Sequence, residues 1–215
     1  MGEQEFYNWL WYKASPDEKK LVDLIGQFKD DYFEDMEFKP GSIVDDFTKY
    51  TAVNVNGSGE SFEDSAVPEE LTYFDIANYQ FSVQELDDCY GFYRSSDKTL
   101  CVEPESLETR PQTILHEMIH LYEDLYEELP RFYHDILLWA LYKKLRDYIP
   151  DLDIMIKDYG QVLHEDDIMQ SGGVHDLLFF LKSLDLDIRR GYTLGTTMGY
   201  EYEDRFKNFS YKKYE

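Results

Sequence analysis

Basic residues are scarce in this sequence of 215 residues. It contains 21 lysines and arginines against 45 aspartates and glutamates, so its formal net charge is −24 at pH 7. A surface of that sign repels phosphate groups, which argues against direct binding to nucleic acid or to an anionic membrane surface. The same charge favours basic partners or cationic substrate segments. The alternative is that the acidic surface mainly keeps the protein soluble.

Long apolar runs are also missing. No stretch of about 18 consecutive apolar residues occurs, so a transmembrane helix is not expected. The first residues, Met1 to Glu5, lack both the positive region and the apolar region of a secretory signal peptide. We therefore expect a soluble, cytoplasmic protein that binds no membrane.

Cysteine is rare, with Cys89 and Cys101 the two in the chain. Their separation suits a disulfide across a hairpin, but two reduced, partly buried thiols are the favoured interpretation for a cytoplasmic protein. They do not form a C-x-x-C pair, so the sequence does not indicate a zinc site with thiolate ligands.

Apolar residues that recur every three or four positions predict helices in several parts of the chain. Two helices are expected within residues 3–38, separated at Ser15-Pro16-Asp17-Glu18, which combines an N-cap serine, a first-turn proline and a glutamate that completes a capping box. Further helices are expected over 109–128, 131–148 and 174–184. Residues 151–173 are predicted to be less regular, and residues 54–65 to form a polar loop.

Strands are predicted where β-branched and aromatic residues concentrate. One is expected within 71–81, and two more over 90–94 and 99–102, joined by the turn Ser95-Ser96-Asp97-Lys98. The segment 187–202 is rich in Thr, Tyr and Gly and is predicted to form a hairpin. With the helices, these strands indicate an α+β fold with a small mixed sheet.

One motif in the helix predicted over 109–128 carries chemistry. It reads His116-Glu117-Met118-Ile119-His120, and histidines four residues apart lie about 40° apart around a helix, one turn along. Both imidazoles can therefore bind one metal ion, for which zinc is the expected choice. Glu117 then lies beside the open position, where it can take a proton from a zinc-bound water whose pKa falls to about 7. The alternative is a pair of core or solvated histidines without a metal.

A third zinc ligand must come from elsewhere in the chain. His134 is the predicted ligand, because it lies in the first turn of the next predicted helix, and a turn near 129–130 would bring it back toward the motif. The carboxylate alternatives are Glu123, Asp124, Glu127 and Asp135. Of these, Glu123 and Glu127 continue the face of the motif and are better placed as outer charges around the ligands. His164 and His175 are interpreted as surface or capping groups.

The segment from Thr113 to His120, followed by His134, resembles the SprT-like group of zincin metallopeptidases. That group has HExxH on one helix and a third histidine near the start of the next. Residues 91–102 are also similar to the β-hairpin that edges a zincin cleft. The resemblance covers residues 89–145 and implies a zincin-like fold, peptide-bond hydrolysis, His116, His120 and His134 as zinc ligands, and Glu117 as the general base.

The sequence departs from that group in two respects. Asp135-Ile136 follow His134 in place of the usual His-Gly-Pro run, and no zinc-ribbon cysteine cluster follows. SprT-like enzymes that act on DNA-bound proteins need basic DNA contacts, which a net charge of −24 disfavours. A role in DNA repair is therefore not expected.

The predicted architecture is a single zincin-like domain over residues 1–215. Its parts are an N-terminal helical segment over 1–40, a catalytic core over 71–149 in which a small mixed sheet packs on the HExxH helix, and a C-terminal helix and tail over 150–215.

The predicted function is zinc-dependent hydrolysis of peptide or protein substrates, with basic segments favoured and the substrate extended along an edge strand. Tyr192, Tyr200 and Tyr202 are candidates for stabilising the oxyanion, and nothing in the sequence selects among them. The alternative from another class is a non-catalytic acidic protein that binds a basic partner and has a structural zinc site or none.

Overall fold

The computed structural model describes residues 2–33, 74–127, 131–165, 175–199 and 202–214. These residues form seven α-helices and one three-stranded sheet, which confirms the predicted α+β class. The helices are α1 (Glu3–Tyr12), α2 (Pro16–Tyr32), α3 (Pro111–Glu127), α4 (Arg131–Tyr148), α5 (Leu152–Glu165), α6 (Leu177–Arg190) and α7 (Tyr202–Phe206). The strands are β1 (Gln80–Val83), β2 (Gly91–Arg94) and β3 (Thr99–Val102). Within the described ranges, no helix has both the length and the apolar character needed to cross a membrane.

The capping box that was predicted between the first two helices is confirmed. The Ser15 hydroxyl accepts a hydrogen bond from the Glu18 amide at 3.2 Å, and the Glu18 carboxylate accepts one from the Ser15 amide at 2.7 Å. Pro16 occupies the first helical position of α2, where its missing N–H is no loss. Helix α2 ends at Tyr32, earlier than the predicted limit of 38, and the loop predicted over 54–65 lies outside the described residues.

The hairpin predicted over 90–102 is also confirmed. Strands β2 and β3 pair antiparallel, and Lys98 takes the left-handed conformation, with φ of 51°, that returns the chain from the Ser95–Asp97 turn. The strand predicted over 71–81 is shorter than expected. Because the Asp75 carboxylate accepts the Ala77 amide at 2.9 Å, a 3-10 turn forms over Ile76–Asn78, and strand β1 begins only after it.

Strand β3 lies in the middle of the sheet, with β1 parallel on one side and β2 antiparallel on the other. All four of its residues are buried. Strand β2 is therefore an edge of the described sheet, and it packs along helix α3. Helices α3 and α4 agree with their predicted ranges to within two residues at each end. The fully buried side chains on the first four turns of α3 are Ile114, Leu115, Met118, Ile119, Leu121 and Tyr122.

The C-terminal part differs most from the sequence-based expectation. Residues 152–165, expected to be irregular, form helix α5, whose buried face contains Leu152, Met155 and Tyr159 at helical spacing. Helix α6 continues to Arg190, beyond the predicted end at 184. This helix is buried over most of its length, and its buried residues include charged ones. Apolar residues therefore do not mark one face of the helix, and their spacing does not show where the helix ends.

Turns occupy residues 191–199, where a hairpin was predicted. Gly191, Gly195 and Gly199 have positive φ, which breaks an extended strand. The Asp187 carboxylate accepts hydrogen bonds from the amides of Gly195 and Thr197, at 2.7 and 2.9 Å. These bonds hold the turns against the end of α6, beneath the HExxH helix.

Candidate metal centre

The two motif histidines lie together on helix α3, as their spacing predicts. The ring centroids of His116 and His120 are 5.2 Å apart, and both side chains are half-buried. Glu117 is 5% exposed and lies beside them. The buried side of α3 holds this arrangement in place, because its apolar residues are fixed in the core.

A third histidine joins this pair from the start of helix α6. Ligand atoms of His116, His120 and His175 all lie within 4.8 Å of one another. The His175 ring stacks on His120, with centroids 5.0 Å apart and an angle of 17° between the ring planes. The phenyl ring of Phe179, one turn into α6, contacts all three imidazoles at centroid distances of 4.3 to 4.8 Å and closes one side of the group.

The distances within this group fit a zinc ion. The Nε2 atoms of His116 and His175 are 3.2 Å apart. Two nitrogens that each lie 2.0–2.1 Å from a tetrahedral zinc are about 3.3 Å apart, so the pair is already near the separation that a shared metal imposes. Three imidazole ligands with an open fourth position are also a donor set that zinc uses in catalytic sites.

His134, which was predicted as the third ligand, lies elsewhere. Its Nε2 atom is 3.1 Å from a carboxylate oxygen of Asp176, and it is not part of the group that the ligand atoms form. The structure thus brings His175, which the sequence analysis interpreted as a surface or capping group, to the two motif histidines, and it leaves His134 outside their group. His175 directly precedes Asp176, the N-cap residue of α6. The side chain of His164 lies outside the described residues.

Hydrogen bonds fix which nitrogen of each motif histidine faces the group. His116 Nδ1 is 3.0 Å from the carbonyl oxygen of Thr197, and since a carbonyl only accepts, this nitrogen carries the proton. His120 Nδ1 lies 3.2 Å from a carboxylate oxygen of Glu123. In both rings Nε2 is left to face the centre, which is the arrangement that outer hydrogen bonds impose on metal-binding histidines. Glu123 thus contacts the side of His120 that faces away from the centre, where the sequence analysis expected an outer charge.

The three imidazoles are held in their neutral form. Burial, together with the neighbouring His116 and His175, lowers the pKa of His120 to about 3. Burial and His116 lower the pKa of His175 to about 4, and burial also lowers the pKa of His116. Only neutral imidazole binds a metal, so near pH 7 the group is in the protonation state that a metal requires.

The buried position of Glu117 changes the pKa of its carboxyl. Burial raises the pKa of its carboxyl to about 8, against a hydrogen bond from the Tyr93 backbone that lowers it. A cation bound by the nearby imidazoles would favour the carboxylate and oppose the effect of burial. Gly91 allows strand β2 to lie close to helix α3, because a Cβ at this position would be only 3.2 Å from Glu117 Cγ. The strand and the helix thus confine Glu117 from two sides.

A cleft of about 840 Å³ opens beside His116 and Glu117. Its lining comes from the connection between β1 and β2 with the first residue of β2, from the first two turns of α3, and from Thr196, Thr197 and Gly199. Glu117 and one of the candidate ligands, His116, therefore line the same cleft.

Acidic side chains dominate the charged lining of this cleft. They are Glu117 itself and Asp87, Asp88, Glu103 and Glu203. Among the described lining residues, Arg110 is the only cation, and it already lies 3.2 Å from Glu105 and 4.0 Å from Glu103. Asp87, Asp88 and Glu203 are exposed, so the mouth of the cleft has a net negative charge.

Two of the tyrosines considered for the oxyanion, Tyr192 and Tyr202, are not among the described residues that line the cleft. The Tyr192 hydroxyl accepts a hydrogen bond from Arg190 at 3.2 Å, and the ring of Tyr202 packs on Tyr159. Tyr200 lies outside the described residues. The cysteines are unpaired, with Cys89 exposed at the cleft and Cys101 buried, which confirms the predicted reduced thiols.

Comparisons with known proteins found no match among protein-family models, curated proteins or solved structures.

Proposed function

We propose that this protein is a zinc-dependent peptidase with a zincin-like fold, in which His116, His120 and His175 hold the metal and Glu117 is the general base. The observation that carries this proposal is the convergence of three imidazoles beside a buried glutamate, with His116 and Glu117 lining a cleft. Relative to the sequence analysis, His175 takes the role that was assigned to His134. The expectation of HExxH chemistry is otherwise kept.

The proposed chemistry follows from the position of each side chain. A zinc ion bound by these imidazoles would polarise the substrate carbonyl and lower the pKa of a coordinated water to about 7. Glu117 accepts a proton from the attacking water as the water oxygen adds to the carbonyl carbon. The same carboxyl delivers a proton to the amide nitrogen when the C–N bond breaks, so the base is restored at the end of each cycle.

The substrate is proposed to be a peptide segment with lysine or arginine near the scissile bond. Such a segment would extend through the cleft beside the start of strand β2, an edge of the described sheet. Asp87 and Asp88 on one side and Glu203 on the other would then face its cationic side chains. The favourable charge concerns the mouth of the cleft, so the preference should apply to residues that flank the cleaved bond.

A second candidate is a non-catalytic protein that uses the acidic cleft to bind a basic partner, with the histidines holding a structural metal. The exposed acidic residues at the cleft mouth support binding as much as catalysis. The donor set favours the enzyme, because a structural zinc site closes all four positions with protein ligands, whereas the group of three histidines among the described residues leaves one position for water.

A substitution at Glu117 separates turnover from metal binding. Glu117→Gln removes the proton acceptor with little change in volume, so we expect the variant to keep one zinc per chain and to lose about 10²- to 10⁴-fold in kcat/KM. Zinc is measured by elemental analysis of protein that was purified without a histidine tag, and turnover with a mixture of quenched fluorescent peptides.

The matched control is Glu85→Gln, which changes an exposed glutamate outside the cleft lining and should leave both measurements unchanged. Equal turnover by the Glu117→Gln variant and the wild type would exclude Glu117 as the base. Stoichiometric zinc without cleavage by the wild type would favour the binding protein instead.

A further inference from the structure

A chain of polar contacts leads from the candidate metal ligands to a histidine on another helix. His120 Nδ1 lies 3.2 Å from the Glu123 carboxylate on α3. The Glu123 side chain also lies beside the side chain of Asp176 at the start of α6. Asp176 Oδ2 lies 3.1 Å from Nε2 of His134 on α4. These four side chains therefore connect three helices at the edge of the histidine group.

Asp176 connects this chain to the third candidate ligand, because it directly follows His175 in the sequence. Its other oxygen, Oδ1, accepts the amides of Leu178 and Phe179 at 2.6 and 3.0 Å and caps helix α6. The carboxylate is thus fixed by its own helix through one oxygen and by α4 through the other. A shift of Asp176 would move the His175 backbone with it.

The other side of His175 is fixed as well. The Tyr159 hydroxyl donates a hydrogen bond to the His175 carbonyl at 2.9 Å, and the Tyr159 ring stacks on Phe180 at a centroid distance of 4.2 Å. Helices α4, α5 and α6 thereby hold the backbone on both sides of the imidazole. This matters because His175 lies before the first turn of α6, where no intrahelical hydrogen bond restrains it.

We infer that His134 is a positioning residue, which fixes His175 for metal binding through Asp176 and is not itself a ligand. The inference rests on the proposed metal site. It gives a role to His134, which the sequence analysis had considered as a ligand because of its position in the chain. Its Nε2 nitrogen is directed at Asp176, so the contact that defines its position is a carboxylate and not the histidine group. Loss of a partner of this kind typically lowers metal affinity about 10- to 100-fold, whereas loss of a ligand also changes the coordination itself.

Cobalt and zinc binding distinguish a positioning residue from a ligand. We expect His134→Ala to weaken zinc binding by about 10- to 100-fold in competition with a chromophoric chelator. The cobalt(II) form of the variant should keep the visible absorption bands of the wild type, because its three nitrogen ligands are unchanged. His175→Ala should weaken binding and alter those bands.

Conservative variants keep the test independent of folding. His134→Gln supplies an amide N–H to Asp176 and should recover most of the lost affinity. Asp176→Asn can keep the cap through its carbonyl oxygen but replaces the acceptor that faces His134, so it should weaken zinc binding to a similar extent. Both changes remove the same contact, the one between His134 and Asp176. The double variant His134→Ala/Asp176→Asn should therefore lose no more zinc affinity than the more affected single variant. Tyr142→Phe, which removes an exposed hydrogen bond from the same helix α4, is the control and should leave the affinity unchanged.

Two results would overturn the inference while leaving the metal site intact. An altered cobalt spectrum in His134→Ala and His134→Gln, with an unaltered one in His175→Ala, would make His134 the ligand. Wild-type affinity in both His134→Ala and Asp176→Asn would show that the contact positions nothing. Absence of zinc and cobalt binding by the wild-type chain would instead refute the proposed metal site, and the inference with it.

Discussion

At the scale of single residues, the missing side chain at Gly91 sets the distance between strand β2 and helix α3. A Cβ at this position would lie 2.9 Å from Thr113 Cγ2, 3.1 Å from the Cys101 carbonyl oxygen and 3.2 Å from Glu117 Cγ. Real Cβ atoms essentially never have non-bonded contacts under 3.0 Å, so the strand, the helix or the side chains between them would have to move. None of the three candidate ligands is among these neighbours.

Gly91→Ala should therefore reduce activity without removing the metal. We expect the zinc content to stay at the wild-type level, kcat/KM to fall because Glu117 is displaced, and the free energy of unfolding to fall by about 1–3 kcal/mol from overpacking. Urea denaturation, elemental analysis and peptide cleavage measure these quantities.

Gly26→Ala is the control for this substitution. Gly26 lies inside helix α2 with no atom within 4 Å of an added Cβ, so alanine should stabilise the protein by about 0.5–1 kcal/mol and leave cleavage unchanged. Full activity in Gly91→Ala would show that the close approach of β2 does not restrain Glu117.

At the scale of elements, helix α6 combines the site with a buried charge network. Asp185 is 1% exposed and lies 2.7 Å from the Lys144 ammonium of α4 and 3.2 Å from the guanidinium of Arg189. The Tyr214 hydroxyl donates to the same carboxylate at 2.5 Å and so attaches the C-terminal tail. Burial raises the pKa of Asp185, but the positive charges of Lys182, Lys144 and Arg189 outweigh it and hold the pKa below its usual value of 3.8.

Asp185→Asn should destabilise the fold strongly, because it removes a buried carboxylate that is the counter-charge of the partly buried Lys144 and Arg189. We expect a loss of about 3–5 kcal/mol in the free energy of unfolding near pH 7. A carboxyl whose pKa is lowered on folding contributes stability above its unfolded pKa and loses it as the pH falls. The difference between wild type and variant should therefore shrink below a pH of about 4, as measured by urea denaturation at several pH values.

Asp97→Asn removes a carboxylate from an exposed ion pair with Arg94 on the hairpin and is the comparison variant. It should change stability little, since exposed pairs are screened by water and salt. A difference between wild type and Asp185→Asn that persists at low pH would assign the stabilisation to the shape of the side chain and not to its charge.

At the scale of the whole molecule, the net charge of −24 acts on every partner that approaches. Salt screens the electrostatic potential of this net charge at distances beyond the Debye length. The carboxylates at the cleft mouth act on a bound peptide at short range, where screening is weaker. The two contributions can be separated, because general attraction should increase the association rate for any cationic peptide, and the cleft should select the position of the cationic residue.

A peptide with lysines that flank the scissile bond should be cleaved with a higher kcat/KM than the matched peptide with glutamates. The preference should decrease between about 20 mM and about 300 mM salt, since screening weakens both contributions. Asp87→Asn/Asp88→Asn should reduce it further at either salt concentration, as measured by initial rates with both peptides.

Asp23→Asn/Asp151→Asn removes the same number of charges from exposed positions outside the cleft lining and should reduce the preference less. If both double variants reduce it equally, the preference comes from net charge and the cleft does not select. Equal cleavage of both peptides by the wild type would contradict the proposed substrate class but not the proposed chemistry.

The sequence determined those features that depend on neighbours along the chain. The capping box at Ser15, the hairpin over 91–102 and the ranges of α3 and α4 follow from local hydrogen bonding, turn geometry and apolar spacing, and the structure has them as predicted. The convergence of His116 and His120 is likewise local, because one helical turn brings i and i+4 to the same side.

The third histidine was decided by the tertiary structure alone. His134 was favoured because it is near in sequence, yet the burial of α6 against α3 and α4 brings His175 to the pair, 55 residues beyond His120. A capping aspartate before an apolar run was visible at Asp176 and would have located the start of this helix, but not its place in the fold. Which distant residues meet depends on how the buried faces of several helices pack together, and no spacing within one segment contains that information.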